Sequence, residues 1–275
     1  MTQTEGVPVA RSKLSSDIYG EETEDVMRDR VTEFRKRRPR LIDDVITMAH
    51  GAGGKSSAAL TDNVFLEAFR NPELEQLGDG AVLVTPGGDR LAFSTDSFVV
   101  NPIEFPGGTI GHLAVHGTTN DLAVCGAIPQ WLSVAFVIEE GFEIERLKRI
   151  AADMKEAADA IGVTIVTGDT KVVPKGAADG LYISTAGVGV IPAGRELGVD
   201  KVKPGDKVIV SGPIAEHGMA IMLARGELGI EADIESDTAA VTGLVEALLA
   251  AVPATRWMRD ATRGGLGTVA NELAQ

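Results

Sequence analysis

The chain has 275 residues, of which 44% are hydrophobic and 24% charged, enough apolar side chain to bury the core of one large domain or two modest ones. A net charge of −14 disfavours nucleic acid and anionic lipid surfaces as partners, and the longest nearly uncharged stretch, 181–194, is shorter than the ~20 apolar residues of a membrane span. The single cysteine, Cys125, excludes disulfides, iron–sulfur clusters and cysteine-rich zinc sites, which favours a reducing, cytoplasmic setting.

The first forty residues differ from the rest of the chain. They carry nine basic and eight acidic side chains with few apolar ones, and they end in a basic run at 35–40. We interpret residues 1–40 as a charged, mobile extension, in which 26–34 has the spacing of one short amphipathic helix. The basic run could contact nucleic acid, but the acidic balance of the chain favours a solvated tail.

Residues 41–194 alternate predicted strands with predicted helices. Two short apolar runs, 81–85 and 91–95, are joined by Pro86-Gly87-Gly88-Asp89, which is typical of a hairpin turn. The elements that follow are helix 108–124, strand 132–138, helix 143–161, and strands 163–167 and 181–190. This pattern predicts an α+β domain of α/β layers, with helices packed on a mixed sheet.

A second unit is predicted over residues 195–275. It contains one strand candidate at 207–211, helices at 216–224 and 237–251, and a final helix that starts near Gly265. So few strands would bury little surface, and the sequence given stops inside a helical pattern. We therefore expect this α/β domain to be incomplete.

A glycine-rich segment at 50–56 is similar to a phosphate-binding loop, in which backbone N–H groups surround phosphate oxygens and a lysine neutralises charge. The match fails at Ala49, where the phosphate loop requires glycine. Gly53 and Gly54 either form a mobile strand that places Lys55 on a ligand or form an ordinary flexible loop.

Four aspartates stand at predicted strand ends, a glycine turn or an apolar helix face: Asp79, Asp96, Asp121 and Asp169. Carboxylates that converge from several strand ends are what Mg²⁺ needs when it binds together with a polyphosphate. For each aspartate alone, a helix cap or a turn is the simpler interpretation.

Three further positions have both a functional and a structural interpretation. His217 opens a helix and is either a proton-transfer group or a polar start residue. Arg263 precedes a helix whose first N–H groups can bind an anion, or it belongs to a cap and turn. His112 and His116 share a helix face without a third zinc-type ligand, which favours packing over metal binding, and Cys125 is expected to be a small buried hydrophobe.

Six motifs in this order resemble the HypE family, the carbamoyl dehydratases of NiFe-hydrogenase maturation: 48–55, 93–97, 105–108, 120–123, 166–173 and 260–265. The resemblance covers residues 46–275. It implies the two-domain, PurM-like architecture of the superfamily that includes aminoimidazole ribonucleotide synthetase, selenophosphate synthetase and thiamine-monophosphate kinase. In this superfamily the nucleotide cleft lies where two sheets meet, so we expect a homodimer through the first domain.

The resemblance also implies chemistry. ATP would activate a carbamoyl group that HypF places on a C-terminal cysteine, and dehydration would give a thiocyanate for the HypC–HypD complex. The four aspartates would hold Mg²⁺, and His217 and Lys171 would be catalytic. The nucleotide would be contacted by Gly53, Gly54, Lys55, Asn120, Thr170 and Arg263.

One departure from the family is expected to matter. Family members continue through an Asn-Glu-Gly segment to a Pro-Arg-Ile-Cys tail, and neither follows Gln275 here. We therefore expect a C-terminally truncated chain that forms no thiocyanate on itself. Two alternatives remain: another ATP-using superfamily member, such as a small-molecule kinase, or a non-catalytic docking and dimerisation module.

Overall fold

A computed structural model of the chain describes residues 39–227, 229–230 and 232–274. Most of the predicted extension, including the short helix expected at 26–34, lies outside the described residues. The first described elements are a 3-10 turn at Met48–Gly51, helix α1 at Lys55–Leu60, a π-helical turn at Thr61–Phe65, helix α2 at Leu66–Phe69 and a 3-10 turn at Leu74–Gln76.

A five-stranded mixed sheet forms the centre of the molecule. In chain order its strands are β1 (Ala81–Val84), β2 (Arg90–Phe98), β5 (Ile128–Glu139), β6 (Thr164–Val173) and β7 (Leu181–Ile191), and a separate two-stranded ribbon consists of β3 (Glu104–Phe105) and β4 (Gly108–Thr109). The strand order in the sheet is β1-β2-β7-β5-β6, and β5–β6 is the parallel pair. The predicted hairpin of β1 and β2 is confirmed.

Helices α3 (Ile110–Val124) and α4 (Ile144–Ala160) pack on one face of this sheet. Alternate strand side chains point toward them, since Leu132, Val134, Leu181 and Ile183 are all buried. The two helices approach closely at Gly111, where an added Cβ would lie 2.7 Å from the carbonyl oxygen of Ile150. The core therefore lies between the sheet and α3 and α4.

Two of the strands extend several residues past their predicted C-terminal ends. Strand β2 continues to Phe98 and β6 continues to Val173, so Asp96 and Asp169 lie inside strands and the prediction that they stand at strand ends is wrong. The strands continue because the backbone ladder of each is paired by its neighbour: Asp96 pairs with Thr185 of β7, and Asp169 pairs with Ala135 of β5.

Residues after 191 form helices α5 (Glu216–Ala224), α6 (Thr242–Ala251) and α7 (Gly265–Leu273) with a 3-10 turn at Val199–Lys201. The predicted strand at 207–211 is wrong, because no described strand pairs with it and Val208 and Ile209 are 78% and 75% exposed. Among the described helices, none has the length and apolar character that crossing a bilayer requires.

Candidate functional site

Four aspartates from distant parts of the sequence interact electrostatically, and we call them the carboxylate cluster: Asp79, Asp96, Asp121 and Asp260. They come from the loop before β1, from β2, from α3 and from the loop before α7. The hydroxyl of Ser94 lies 2.7 Å from Asp121 Oδ2 and 3.1 Å from the Asp79 carbonyl oxygen, and so joins two of the elements.

Burial and mutual repulsion change the protonation of this cluster. Burial, followed by the charges of Asp79, Asp260 and Asp96, raises the pKa of Asp121 to about 8. Burial and the neighbouring aspartates raise the pKa of Asp260 to about 6, and burial also raises the pKa of Asp79 and of Asp96. A cation in this cluster would relieve the repulsion.

The chemistry of the donor set fits Mg²⁺, which prefers hard oxygen ligands such as carboxylates. Among the described residues, no three acidic, histidine or cysteine side chains already stand at ligand spacing. One or two carboxylates of the cluster can therefore hold the ion only if phosphate and water oxygens supply the remaining ligands, which is how Mg²⁺ usually binds with a nucleotide.

Two arginines from the loop before α7 face the cluster. Arg259 Nε lies 3.1 Å from Asp79 Oδ1, and Arg263 Nη2 lies 3.4 Å from Asp96 Oδ1. The glycine-rich segment contacts the same loop, because Gly53 has a φ of +79° and an added Cβ there would lie 2.9 Å from the Arg263 carbonyl. Lys55 follows as the first residue of α1. Two arginines thus border the carboxylates, and the glycine-rich segment packs against the loop that carries them.

Asp169, Thr170 and Lys171 do not join the cluster within one chain. They lie on β6, three strands across the sheet from β2, which is about 14 Å at the usual strand spacing. The row that contains Asp169 also contains Ala135 and Ser184, on the face away from α3 and α4. Lys171 forms an ion pair with Asp169 and holds the pKa of that carboxyl below its ordinary value.

Asn120 is buried at the junction between α3 and the loop before α6. Its amide nitrogen donates to the Ala239 carbonyl at 3.0 Å, and its amide oxygen accepts from the Val241 N–H at 2.9 Å. The side chain therefore holds this loop against α3.

His217 lies beside the two-stranded ribbon and is linked to the cluster through Asp237. Its ring meets Phe105 edge-on with centroids 5.3 Å apart, and its Nδ1 lies 2.9 Å from the Ser236 hydroxyl. The backbone N–H of His217 donates to Asp237 Oδ1, and the charge of Asp237 helps to raise the pKa of Asp260. Burial lowers the pKa of His217 and so favours the neutral imidazole, although the charge of Asp237 acts in the opposite direction.

His116 and Cys125, which the sequence analysis also considered, are packed among neighbouring side chains. Burial and the neighbouring His112 lower the pKa of His116 to about 4, and His116 Nδ1 lies 3.1 Å from the Thr238 hydroxyl. Burial raises the pKa of the Cys125 thiol to about 12, so the thiol stays protonated.

Sequence reasoning did not single out four residues that the structure places at the site: Ser236, Asp237, Arg259 and Asp260. A signal existed for two of them, because Asp260 opens the motif at 260–265 and Arg259 directly precedes it. Ser236 and Asp237 carry no local signal, since their partner His217 is about 20 residues away.

The family model of AIR synthase related proteins matches the chain twice, with its N-terminal domain over residues 77–191 and its C-terminal domain over residues 203–275. Over 237 residues the chain is 53% identical to the carbamoyl dehydratase HypE of Rhodobacter capsulatus, a match that covers 86% of this chain and 69% of that relative. These matches and the mixed sheet with its packed helices confirm the predicted α+β, PurM-like fold class.

Two solved structures are similar at the level of coordinates. A crystal structure of a HypE–HypF complex has a TM-score of 0.73 at 47% identity, covering 78% of this chain and 70% of the other. A structure of the hydrogenase maturation protein HypE in complex with ATP has a TM-score of 0.65 at 46% identity, covering 84% of this chain and 68% of the other.

Proposed function

Since the chain belongs to the HypE family of carbamoyl dehydratases, we propose that it binds Mg·ATP at the carboxylate cluster and dehydrates a thiocarboxamide to a thiocyanate during hydrogenase maturation. The observation that carries this proposal is the cluster itself: four coupled carboxylates beside Arg263 and the glycine-rich segment. The similarity to a HypE–ATP complex supports the nucleotide. The identity to HypE relatives disfavours the small-molecule kinase and the docking module.

The oxygen of the thiocarboxamide is a poor leaving group, and phosphorylation turns it into a good one. The amide oxygen attacks the γ-phosphorus of ATP, ADP leaves, and the nitrogen loses one proton. Phosphate then leaves with the former amide oxygen while the second N–H proton is removed, which gives the nitrile. When bound, Mg²⁺ would neutralise charge on the phosphates.

The location of each residue indicates its role in this reaction. Asp79, Asp96 and Asp121 would hold the ion, while Arg263 would neutralise phosphate charge. His217 is half-buried and burial lowers its pKa, which suits a group that accepts a proton from the substrate nitrogen.

The remaining nucleotide contacts follow from the glycine-rich segment and the buried amide. Gly53 and Gly54 would let the backbone approach the phosphates, and Lys55 would add charge. Asn120 would act by fixing the loop that carries Ala239 and Val241.

Asp169, Thr170 and Lys171 would act from a second copy of the chain. The sheet face away from the helices exposes Phe93 at 43% and Trp131 at 48%, which is typical of a surface that another protein covers. If two copies pack through this face about a twofold axis along the strands, β6 of one copy lies over the β1–β2 edge of the other. Asp96 turns toward α3, so the residues of β6 would approach the cluster around that edge. Residues 41–194 would then be the ATP-binding and dimerisation domain, and 195–275 part of a second domain.

The dimer has a direct test in solution. Light scattering should give twice 28.8 kDa for the wild type, and Trp131→Lys should shift the mass toward 28.8 kDa. Ile144→Lys is the control, because Ile144 is exposed at the start of α4 on the other side of the molecule. A wild-type monomer at micromolar concentration would contradict the dimer.

Two partners follow from the family. We propose that HypF supplies the carbamoyl group, which the relative in the HypE–HypF complex supports, and that the HypC–HypD complex receives the product. Co-elution of the purified chain with HypF in size-exclusion chromatography tests the first contact, and failure to co-elute would remove it.

The nucleotide site is tested by calorimetry of ATP binding with and without Mg²⁺. Asp121→Asn should weaken Mg·ATP binding at least about tenfold, or ~1.4 kcal/mol, because the amide keeps the shape of the side chain but cannot release a proton to become an anionic ligand of the ion. Asp159→Asn is the matched control, since that exposed carboxylate pairs with Lys155 on α4. Equal affinity in Asp121→Asn and wild type would remove Asp121 from the site.

Turnover is tested with the thiocarboxamide supplied separately. An S-carbamoyl-cysteine peptide should lose one water in the presence of the chain and Mg·ATP, with release of ADP and phosphate, as followed by mass spectrometry and a phosphate assay. ATP binding without any loss of water from the peptide would contradict the dehydratase activity of this chain.

A further inference from the structure

Arg259 connects three separate parts of the molecule through one guanidinium group. Its Nε lies 3.1 Å from Asp79 Oδ1, its Nη1 donates to the Leu77 carbonyl at 3.0 Å, and its Nη2 lies 3.0 Å from Glu272 Oε2. Leu77 and Asp79 precede β1, whereas Glu272 belongs to α7. Every nitrogen of the guanidinium therefore has a partner, and the partners come from the segment before β1 and from the last described helix.

The ion pair between Arg259 and Asp79 is not an ordinary surface contact. The two side chains are 19% and 11% exposed, so water screens their attraction only weakly. The next residue completes the arrangement, because the backbone N–H of Asp260 donates to the other carboxylate oxygen, Asp79 Oδ2, at 3.1 Å. Consecutive residues 259 and 260 thus hold both oxygens of one carboxylate.

This arrangement determines the orientation of Asp79 within the cluster. A carboxylate that is held at each oxygen by a separate donor has little freedom to rotate about its terminal torsion. Asp79 is also the neighbour whose charge acts most strongly on Asp260 and, among the aspartates, on Asp121. Its orientation therefore affects the charge distribution over the whole carboxylate cluster.

We propose that Arg259 is a positioning residue that orients Asp79 for cation binding in the carboxylate cluster and couples that site to helix α7 through Glu272. The inference rests on the proposed function, since it concerns the same Mg·nucleotide site. Groups that orient ligand carboxylates typically change metal affinity about 10-fold to 100-fold when they are removed.

The test separates orientation from stability. ADP affinity is measured by calorimetry once in EDTA and once in excess Mg²⁺, and the ratio of the two affinities gives the gain that Mg²⁺ provides. Arg259→Gln should leave the affinity in EDTA within about twofold and reduce the Mg²⁺ gain by about tenfold. A purely structural role would lower the thermal midpoint and leave the ratio unchanged.

Arg195 provides a matched control. It also joins distant parts of the chain through one guanidinium, since it binds Glu246 of α6 with two contacts of 2.6 Å and the Gly126 carbonyl at 3.1 Å. None of these partners belongs to the carboxylate cluster. Arg195→Gln should therefore lower the thermal midpoint without changing the Mg²⁺ gain.

The outcomes distinguish the inference from the function on which it rests. A wild-type chain without any Mg²⁺ gain would overturn the proposed function and the role of Arg259 together. A wild-type gain that Arg259→Gln preserves would overturn the inference alone. If Arg259→Gln does not fold, Arg259→Lys replaces it: the ammonium can pair with Asp79 but cannot also reach Leu77 and Glu272, so a partial loss of the gain supports the inference and an unchanged gain overturns it.

Discussion

Residues 77–191 and residues 203–274 are held in place by different forces. The first region encloses its own core between a five-stranded sheet and two helices. The described part of the second region contains no strand, and its buried apolar side chains are few: Ala220, Ile221, Val245 and Leu249. Ile221 belongs to the core cluster of the sheet and its two helices. Val245 and Leu249 pack in a smaller cluster with Ala123 and Val124 of α3.

Polar side chains supply much of the connection between the two regions. Asn120 holds the loop before α6, His116 contacts Thr238, and Arg259 joins Asp79 to α7. Several of these side chains are also residues of the candidate site. The comparison indicates that apolar burial sets the fold of the first region, whereas the site itself helps to position the second.

The largest effect should come from the core of the first region. Ile150 is fully buried between α4 and α3, so Ile150→Ala should lower the free energy of unfolding by about 3 kcal/mol through lost burial and the cavity left behind. Urea unfolding followed by circular dichroism measures this. Ile144→Ala, at an exposed position of the same helix, should change stability by less than about 0.5 kcal/mol. Equal losses at the two positions would contradict the importance of this core.

The contrast between the two regions also explains which features could be predicted from the sequence. Hydrophobic periodicity predicts α3 and α4, and a turn sequence between two apolar runs predicts the hairpin, because these signals lie within short stretches of the chain. The run at 207–211 has the composition of a strand but finds no pairing partner among the described strands, and composition does not reveal partners.

The candidate site was predicted only in part for a related reason. Asp79, Asp96 and Asp121 do come together, but the position of Asp169 depends on strand order and on the face toward which β6 turns it. A one-residue change of register would reverse that face, so residue types alone could not locate it. Arg259 and Ser236 depend on partners far away in the sequence or in a different element.

The second largest effect should be a pH dependence of stability that originates in the carboxylate cluster. The pKa of Asp121 is raised from 3.8 to about 8, so between these pH values the folded chain keeps a proton that the unfolded chain releases. The free energy of unfolding should therefore fall as pH rises from about 4 to about 8. Asp121→Asn should remove most of this fall, because the amide does not titrate and carries no charge at any of these pH values.

Urea unfolding in EDTA at several pH values measures the difference between Asp121→Asn and wild type. The variant should be the more stable protein at pH 8, and the two should converge near pH 4. Asp159→Asn, at an exposed carboxylate outside the cluster, should follow the wild type across the range. A difference between Asp121→Asn and wild type that is constant with pH would show that the charge of Asp121 is not the cause.

The smallest effect should come from the buried amide that connects the two regions. Asn120→Ala removes the partners of the Ala239 carbonyl and the Val241 N–H, and a lost hydrogen bond of this kind costs about 1 kcal/mol where water can reach the freed groups. Because the core of the first region does not depend on this amide, the loss should appear as local opening rather than global unfolding. Hydrogen exchange should therefore quicken at 239–245 and stay unchanged in β5 and β7. Faster exchange throughout the sheet would instead mean that Asn120 stabilises the first region itself, and the contrast between the two regions would then fail at this contact.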